Sequence, residues 1–165
     1  MIIDSHCHLT YEPMSSSLEV TIKRATSEGV KYLLTISTED RSYQKILDIL
    51  DKYDCVYGSY GIHPHEANKH KNIKSKNIIE NLKKNDKIIG VGETGLDFYY
   101  NHSEKSDQVS SFEEHIEASL KTDLPIIVHT RSAEKDTLEI LKSYVKKDNL
   151  KILIHCFTGS KVFAK

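Results

Sequence analysis

Long apolar runs are missing from this sequence. Nowhere does it approach the ~20 apolar residues that cross a bilayer, and the opening Met1-Ile2-Ile3-Asp4-Ser5-His6 has no basic n-region. The chain therefore reads as cytoplasmic, with no membrane partner. Cysteine is scarce as well: Cys7, Cys55 and Cys156 are odd in number, widely spaced and without a C-x-x-C, a pattern that indicates neither a disulfide framework nor a cysteine zinc knuckle. Charge of one sign is also lacking. A formal net charge of -1 offers no basic surface to gather nucleic acid by counterion release, so any affinity for phosphate has to be local, through a metal or a few side chains. No low-complexity tract, Gly/Ser linker or close repeat divides residues 1–165, a length that suits one domain with a real core.

What the chain does have is alternation. Short apolar or β-rich runs at 2–4, 30–36, 55–62, 87–91, 124–129 and 151–155 read as strands. Between them lie stretches with helical spacing. Leu18, Ile22 and Ala25 follow the serines 15–17 and precede Gly29; Tyr43, Ile46, Leu47 and Leu50 follow Thr38. Ile78, Ile79 and Leu82 form a short copy, Val109, Phe112, Ile116 and Leu120 a fuller one, and Leu138, Leu141 and Val145 follow a cap at Ser132. Strands alternating with helices imply parallel pairing through right-handed crossovers, hence an α/β class. The first strand is not followed by G-x-G-x-x-G, as a dinucleotide fold would want, and polar residues recur at strand ends, the habit of a (β/α)8 TIM-type barrel whose site lies at the C-terminal mouth. At ~31 residues per unit the length provides roughly five units and a little more, so the expectation is an incomplete barrel with its last strands missing.

The strand-end residues carry the chemistry. His6 and His8 lie two apart, and in an extended segment residues i and i+2 face the same side, so both imidazoles can address one divalent ion; the alternative is a pair of polar strand-end groups. His63 and His65 flank Pro64 in G-I-H-P-H, either as exposed loop residues or as donors to an anionic substrate. Glu93, between the glycines of G-V-G-E-T-G at the end of the fourth run, needs a cation, since a buried unpaired carboxylate costs several kcal/mol; a metal, a lysine or an arginine would each serve. Asp97 reads as a loop or capping residue. His129 and His155 each close an apolar run, and a barrel gathers such ends on one rim, which raises the case for a metal above that of any single member. Arg131 suits bidentate capture of phosphate or a surface ion pair. His70, His102 and His115 read as solvent-facing, and Cys7 and Cys156 as packed thiols.

With D-S-H-C-H-L, G-I-H-P-H, G-E-T-G-L-D, P-I-I-V-H-T-R and H-C-F-T-G-S in this order, the chain from Ile3 onward resembles the TatD family of metal-dependent deoxyribonucleases, among the amidohydrolase-like TIM barrels. The resemblance implies a hydrolase with two divalent ions (Mg, Mn or Zn), one on His6 and His8, the other on His129 and His155, with Glu93 bridging. It implies cleavage of phosphodiester bonds in DNA, as a 3′-5′ exonuclease on single strands, with His63 and Arg131 as candidates for the phosphate. The family's further aspartate, in an S-D-x-P-like motif after a later strand, is not reached by residue 165. Two expectations follow: open edges on the first and sixth strands that favour self-association or a complementary C-terminal fragment, and metal binding with impaired turnover. A catalytically inactive fragment that binds metal or a partner chain is the rival reading. A related small-molecule amidohydrolase or lactonase ranks below both, because Glu93 stands where such enzymes often carry a carbamylated lysine.

Overall fold

A computed structural model describes residues 1–145 and 150–164, and the side chain of Val145 is outside the described set. Six strands, β1 (Ile2–Cys7), β2 (Val30–Thr35), β3 (Val56–Tyr60), β4 (Ile88–Asp97), β5 (Ile126–Arg131) and β6 (Ile152–Ile154), form one sheet in sequence order. Every pairing is parallel. Between the strands run α1 (Leu18–Ser27), α2 (Asp40–Lys52), α3 (Ser75–Leu82), α4 (Lys105–Thr122) and α5 (Glu134–Val145). The alternation expected from the sequence is therefore the architecture observed.

The apolar positions read as helical stripes are the ones that pack. Ile22 of α1, Tyr43, Ile46, Leu47 and Leu50 of α2, and Ile78 and Leu82 of α3 are buried with Leu33, Val56, Ile88 and Val91 of the strands in one core cluster. Phe112 and Ile116 of α4 and Leu141 of α5 form a second cluster with Leu96, Ile126 and Val128. Each such side chain contributes about 1.5–3 kcal/mol of burial, which is what keeps short helices in place against a sheet.

Curvature brings the ends of this sheet together. A flat six-stranded sheet would hold its edge strands about 24 Å apart. Yet His6 of β1 and His155, just past β6, stack ring on ring with centroids 3.7 Å apart. The sheet is therefore curled, as in an α/β barrel, with the C-terminal strand ends turned toward a common mouth.

Four readings of the sequence need correction. The fourth strand does not stop at Glu93 but continues to Asp97, its register with β5 shifting between Val91 and Thr94. The segment after His63 is not a plain turn: Pro64–His70 is a 3₁₀ helix, begun by a proline whose missing N–H costs nothing at that position. Cys156 is exposed, because φ is 46° there and the chain has already turned out of β6; Cys7 is packed as expected, its thiol pushed up to about 12 by burial, with Asp4 adding to the shift. Finally, His115 is fully buried rather than solvent-facing. Both sides of α4 are covered, by β4 and by the 3₁₀ helix.

His115 spans that layer. Its Nδ1 donates to the Ser111 carbonyl at 2.6 Å and its Nε2 accepts the Ile62 N–H at 3.1 Å, which anchors the segment leading into His63. Burial lowers its pKa to about 4, partly offset by the Ser111 carbonyl and Glu114. The folded state thus binds this proton less readily than the unfolded chain. Stability is complete above the ordinary histidine value near 6.5 and falls as pH drops from there toward 4, by on the order of 3 kcal/mol. Urea titrations across pH 7 to 4 are expected to show this slope in the wild type and a shallower one in His115→Gln, where the buried His63 and His8 still contribute.

Candidate metal centre

Each strand end delivers one part of the site. His6 is the penultimate residue of β1 and His8 follows its end, and their rings meet edge to face with centroids 5.1 Å apart. His129 lies in β5 and His155 one residue beyond β6. Between them Glu93 is 3% exposed and its N–H donates to the Ser37 carbonyl at 2.9 Å. Gly92 and Gly95 flank it with φ of 138° and 136°, a conformation that L side chains rarely adopt, and a methyl group on Gly95 would collide with the His129 carbonyl. These glycines let β4 bring the carboxylate against its neighbours' backbone.

The carboxylate gathers imidazoles. Glu93 Oε1 lies 3.1 Å from His129 Nδ1, 3.2 Å from His155 Nε2 and 3.8 Å from His63 Nε2, and Oε2 lies 3.4 Å from His6 Nε2. Burial alone would raise the pKa of Glu93. The imidazoles of His129, His155 and His6, with His63 close by, outweigh it and hold the carboxyl well below its usual range. His8 is pushed down, first by burial and then by His6.

The donor set has the marks of a cation site. His6 Nδ1 and Nε2 and His8 Nδ1 are buried and make no hydrogen bond among the described residues; the 3.4 Å approach of His6 to Glu93 is too poorly aligned to count as one. Each buried polar atom left unpaired costs about 1–3 kcal/mol. One ligand atom from each of His6, His8 and Glu93 fall within 4.8 Å of one another, and the same holds for His63, Glu93 and His129. Neutral imidazole and carboxylate are the donors that zinc-like and manganese-like ions accept. The residues fit a divalent ion, and Glu93 belongs to both groups.

The second group differs from the one the sequence suggested, because His63 stands where His155 was expected. Its hydrogen bonding argues for a different task. His63 Nδ1 accepts the His65 N–H at 3.2 Å, so the neutral ring must carry its proton on Nε2, the atom turned toward Glu93. Burial pushes this imidazole down to about 3, despite the opposing pull of Glu93. His63 is thus a neutral N–H donor facing the site. Together with His8, Glu93, His129 and His155 it lines a pocket of ≈ 390 Å³.

Asp97 was missed as a site residue, and so was the role of His65. Asp97 is fully buried; its Oδ1 accepts the N–H groups of Tyr99 and Tyr100, both at 3.0 Å, and its Oδ2 meets His65 Nε2 at 2.9 Å and His129 Nε2 at 3.1 Å. It is a turn-capping residue as expected, and in addition it holds the far nitrogen of His129. That leaves Nδ1 turned to Glu93 Oε1 and the site, the arrangement that orients imidazole ligands in metal sites. The signal was legible: Glu93 and Asp97 are four residues apart on one strand, hence on one face. Arg131 is not among the groups around Glu93; it lies farther out on the rim.

A parallel β/α sheet curled toward a histidine–carboxylate cluster at its C-terminal mouth defines a metallohydrolase-type barrel site. Residues 3–165 match the family described as TatD related DNase, and the chain belongs to that family. It is 37% identical over 168 residues to the metal-dependent hydrolase BU355 of Buchnera aphidicola, covering 96% of this chain and 62% of the relative. YabD of Bacillus subtilis, also a metal-dependent hydrolase by name, is 30% identical over 167 residues, covering 100% and 64%. The human 3′-5′ RNA nuclease TATDN2 is 32% identical over 167 residues, which are 96% of this chain and 22% of that protein. Among solved structures, the TatD homologue YjjV of Escherichia coli superimposes with a TM-score of 0.83 at 28% identity, over 99% of this chain and 62% of that one. The chain spans roughly three fifths of the length of BU355 and YabD. Among the described residues, no helix is long and apolar enough to cross a membrane.

Asp97 offers a direct check on this geometry. In Asp97→Asn the carboxamide oxygen can keep the two backbone N–H groups, but its NH2 then faces His129 Nε2 and requires that nitrogen to accept. The expected outcome is a change of His129 from the Nε2–H to the Nδ1–H tautomer, read from its ring ¹⁵N shifts at alkaline pH.

Proposed function

We propose that this chain is a metal-dependent hydrolase of nucleic-acid phosphodiesters: a cytosolic deoxyribonuclease that removes nucleotides from the 3′ end of single strands, residues 1–165 acting as one unit. The observation that carries the reading is Glu93, a buried carboxylate shared between two sets of ligand-spaced side chains. His6, His8 and Glu93 would hold one ion and Glu93, His129 and His155 a second; Mg, Mn and Zn all suit the donors. Divalent ions bound there would act as Lewis acids on a phosphoryl oxygen and lower the pKa of water. Of the chain's own groups, His63 offers its Nε2–H to a phosphate oxygen, and Asp97 fixes the ring of His129. Arg131, with no ion pair among the described residues, supplies positive charge on the rim; a net charge of -1 suits a protein that grips one phosphate locally rather than a duplex.

Purified chain given a 3′-labelled single-stranded DNA is expected to release mononucleotides with added Mg²⁺ or Mn²⁺. Chelator or Glu93→Ala should return the rate to background, and release that persists in chelator contradicts the proposal. The unpaired buried nitrogens of His6 and His8, which answer to binding alone, favour a second reading, in which the chain binds metal or a partner chain without turnover. Calorimetric Zn²⁺ binding that depends on Glu93, in a sample that releases no nucleotide, would select it.

We further propose association through the sheet. Ile3 of β1, Tyr32 of β2, Ile89 of β4 and Leu153 of β6 are exposed apolar strand residues, and β1 and β6 are its edges. A second copy, or a complementary chain, would cover them. Light scattering is expected to give a mass above that of one chain, and a monodisperse monomer contradicts this.

A further inference from the structure

Just outside the metal centre, the loop after β4 and the end of β5 build a feature that the proposed chemistry does not use. Tyr99 and Tyr100 are 60% and 48% exposed. The guanidinium carbon of Arg131 lies 4.3 Å from the Tyr99 ring centroid and 4.6 Å from that of Tyr100. Arg131 Nη1 donates to the Tyr100 hydroxyl at 3.2 Å. Arg131 faces no carboxylate among the described residues, whereas Arg41 has Glu39 3.5 Å away. A cation held in place by two tyrosines, with its charge left unanswered, is prepared for an anion from outside.

Position gives the anion its identity. Arg131 also lines a cleft of ≈ 320 Å³ between the ends of β5 and β6, whose other walls include His129, His155 and Thr158. That cleft opens from the imidazoles around Glu93, so a ligand spanning both places carries one phosphate at the carboxylate cluster and another group at Arg131. The platform is rigidly tied to the centre, because one carboxylate, Asp97, takes the N–H groups of Tyr99 and Tyr100 on one oxygen and His129 on the other.

The geometry points to a nucleotide subsite: Arg131 takes the phosphate next to the scissile one, and the open face of Tyr99 takes the base attached to it. Such a site accepts an unpaired base of any identity, since every base presents a π face and nothing in the arrangement reads base edges. A paired duplex cannot offer that face. The inference rests on the nuclease reading for its ligand class, but not on turnover.

The test is equilibrium binding of a 5′-fluorescein oligothymidylate with phosphorothioate linkages, read by anisotropy in Mg²⁺, with single abasic positions placed in turn near the 3′ end. Tyr99→Ala is expected to weaken binding about tenfold, and Tyr99→Phe to restore it, since stacking needs the ring and not the hydroxyl. At one position the abasic probe should cost the wild type the same factor and cost Tyr99→Ala nothing further. Arg131→Ala should reduce the slope of log affinity against log salt by about 0.7, one phosphate contact on a single strand. Abasic losses equal in wild type and Tyr99→Ala at every position overturn the subsite, as does an unchanged salt slope. Cleavage is scored separately: coupling without nucleotide release defeats the nuclease reading alone, and release without coupling defeats the subsite alone.

Discussion

One buried negative charge organises this molecule. Glu93 sits deep in an α/β sheet, where an isolated carboxylate would cost far more than any single contact could return. Imidazoles answer it from several strand ends: His6 and His8 from β1, His129 from β5 and His155 from β6. The surrounding backbone serves the same end. Gly92 and Gly95 adopt conformations that let β4 run close against the β5 backbone, and the continuation of β4 to Asp97 adds a second carboxylate beyond the first.

The two carboxylates divide the work. Glu93 faces the pocket and belongs to two ligand-spaced groups; Asp97, on the same face, has both oxygens engaged by protein groups. One is available to a cation, the other only to protein. Between them His129 has one nitrogen on each carboxylate, while His63, with its Nδ1 already accepting a backbone N–H, can only donate. The tautomers of these rings follow from their hydrogen bonds, and so do their separate roles.

Much of this was legible in the sequence. Apolar runs ending in His129 and His155, the H-x-H of His6 and His8, and a glutamate among glycines all mark strand ends, and the alternation of runs with helical stripes implies the parallel sheet that collects them. What escaped notice had signals of a different kind. His115 lies three residues after Phe112 and one before Ile116, on the same helical stripe, but a polar residue on an apolar stripe reads as solvent-facing until the second covering layer is known. That layer is the 3₁₀ helix, too short for any periodicity to announce it. Asp97 reads in the sequence only as a cap because capping explains an aspartate at a strand end completely; that its other oxygen reaches two histidines depends on two segments, one 32 residues before it and one 32 after. Cys156 was misplaced by extending strand alternation past the point where β6 ends.

The stacked rings of His6 and His155 bring β1 and β6 together through side chains. Among the described residues no backbone ladder pairs these two strands, so anything the two imidazoles grasp in common would help hold the bend of the sheet there. A cation seated against Glu93 would act as a rivet across the gap, and its affinity and the resistance of the folded chain to opening would be two readings of one free energy. In such a design the reactive centre is also the clasp that keeps the vessel round.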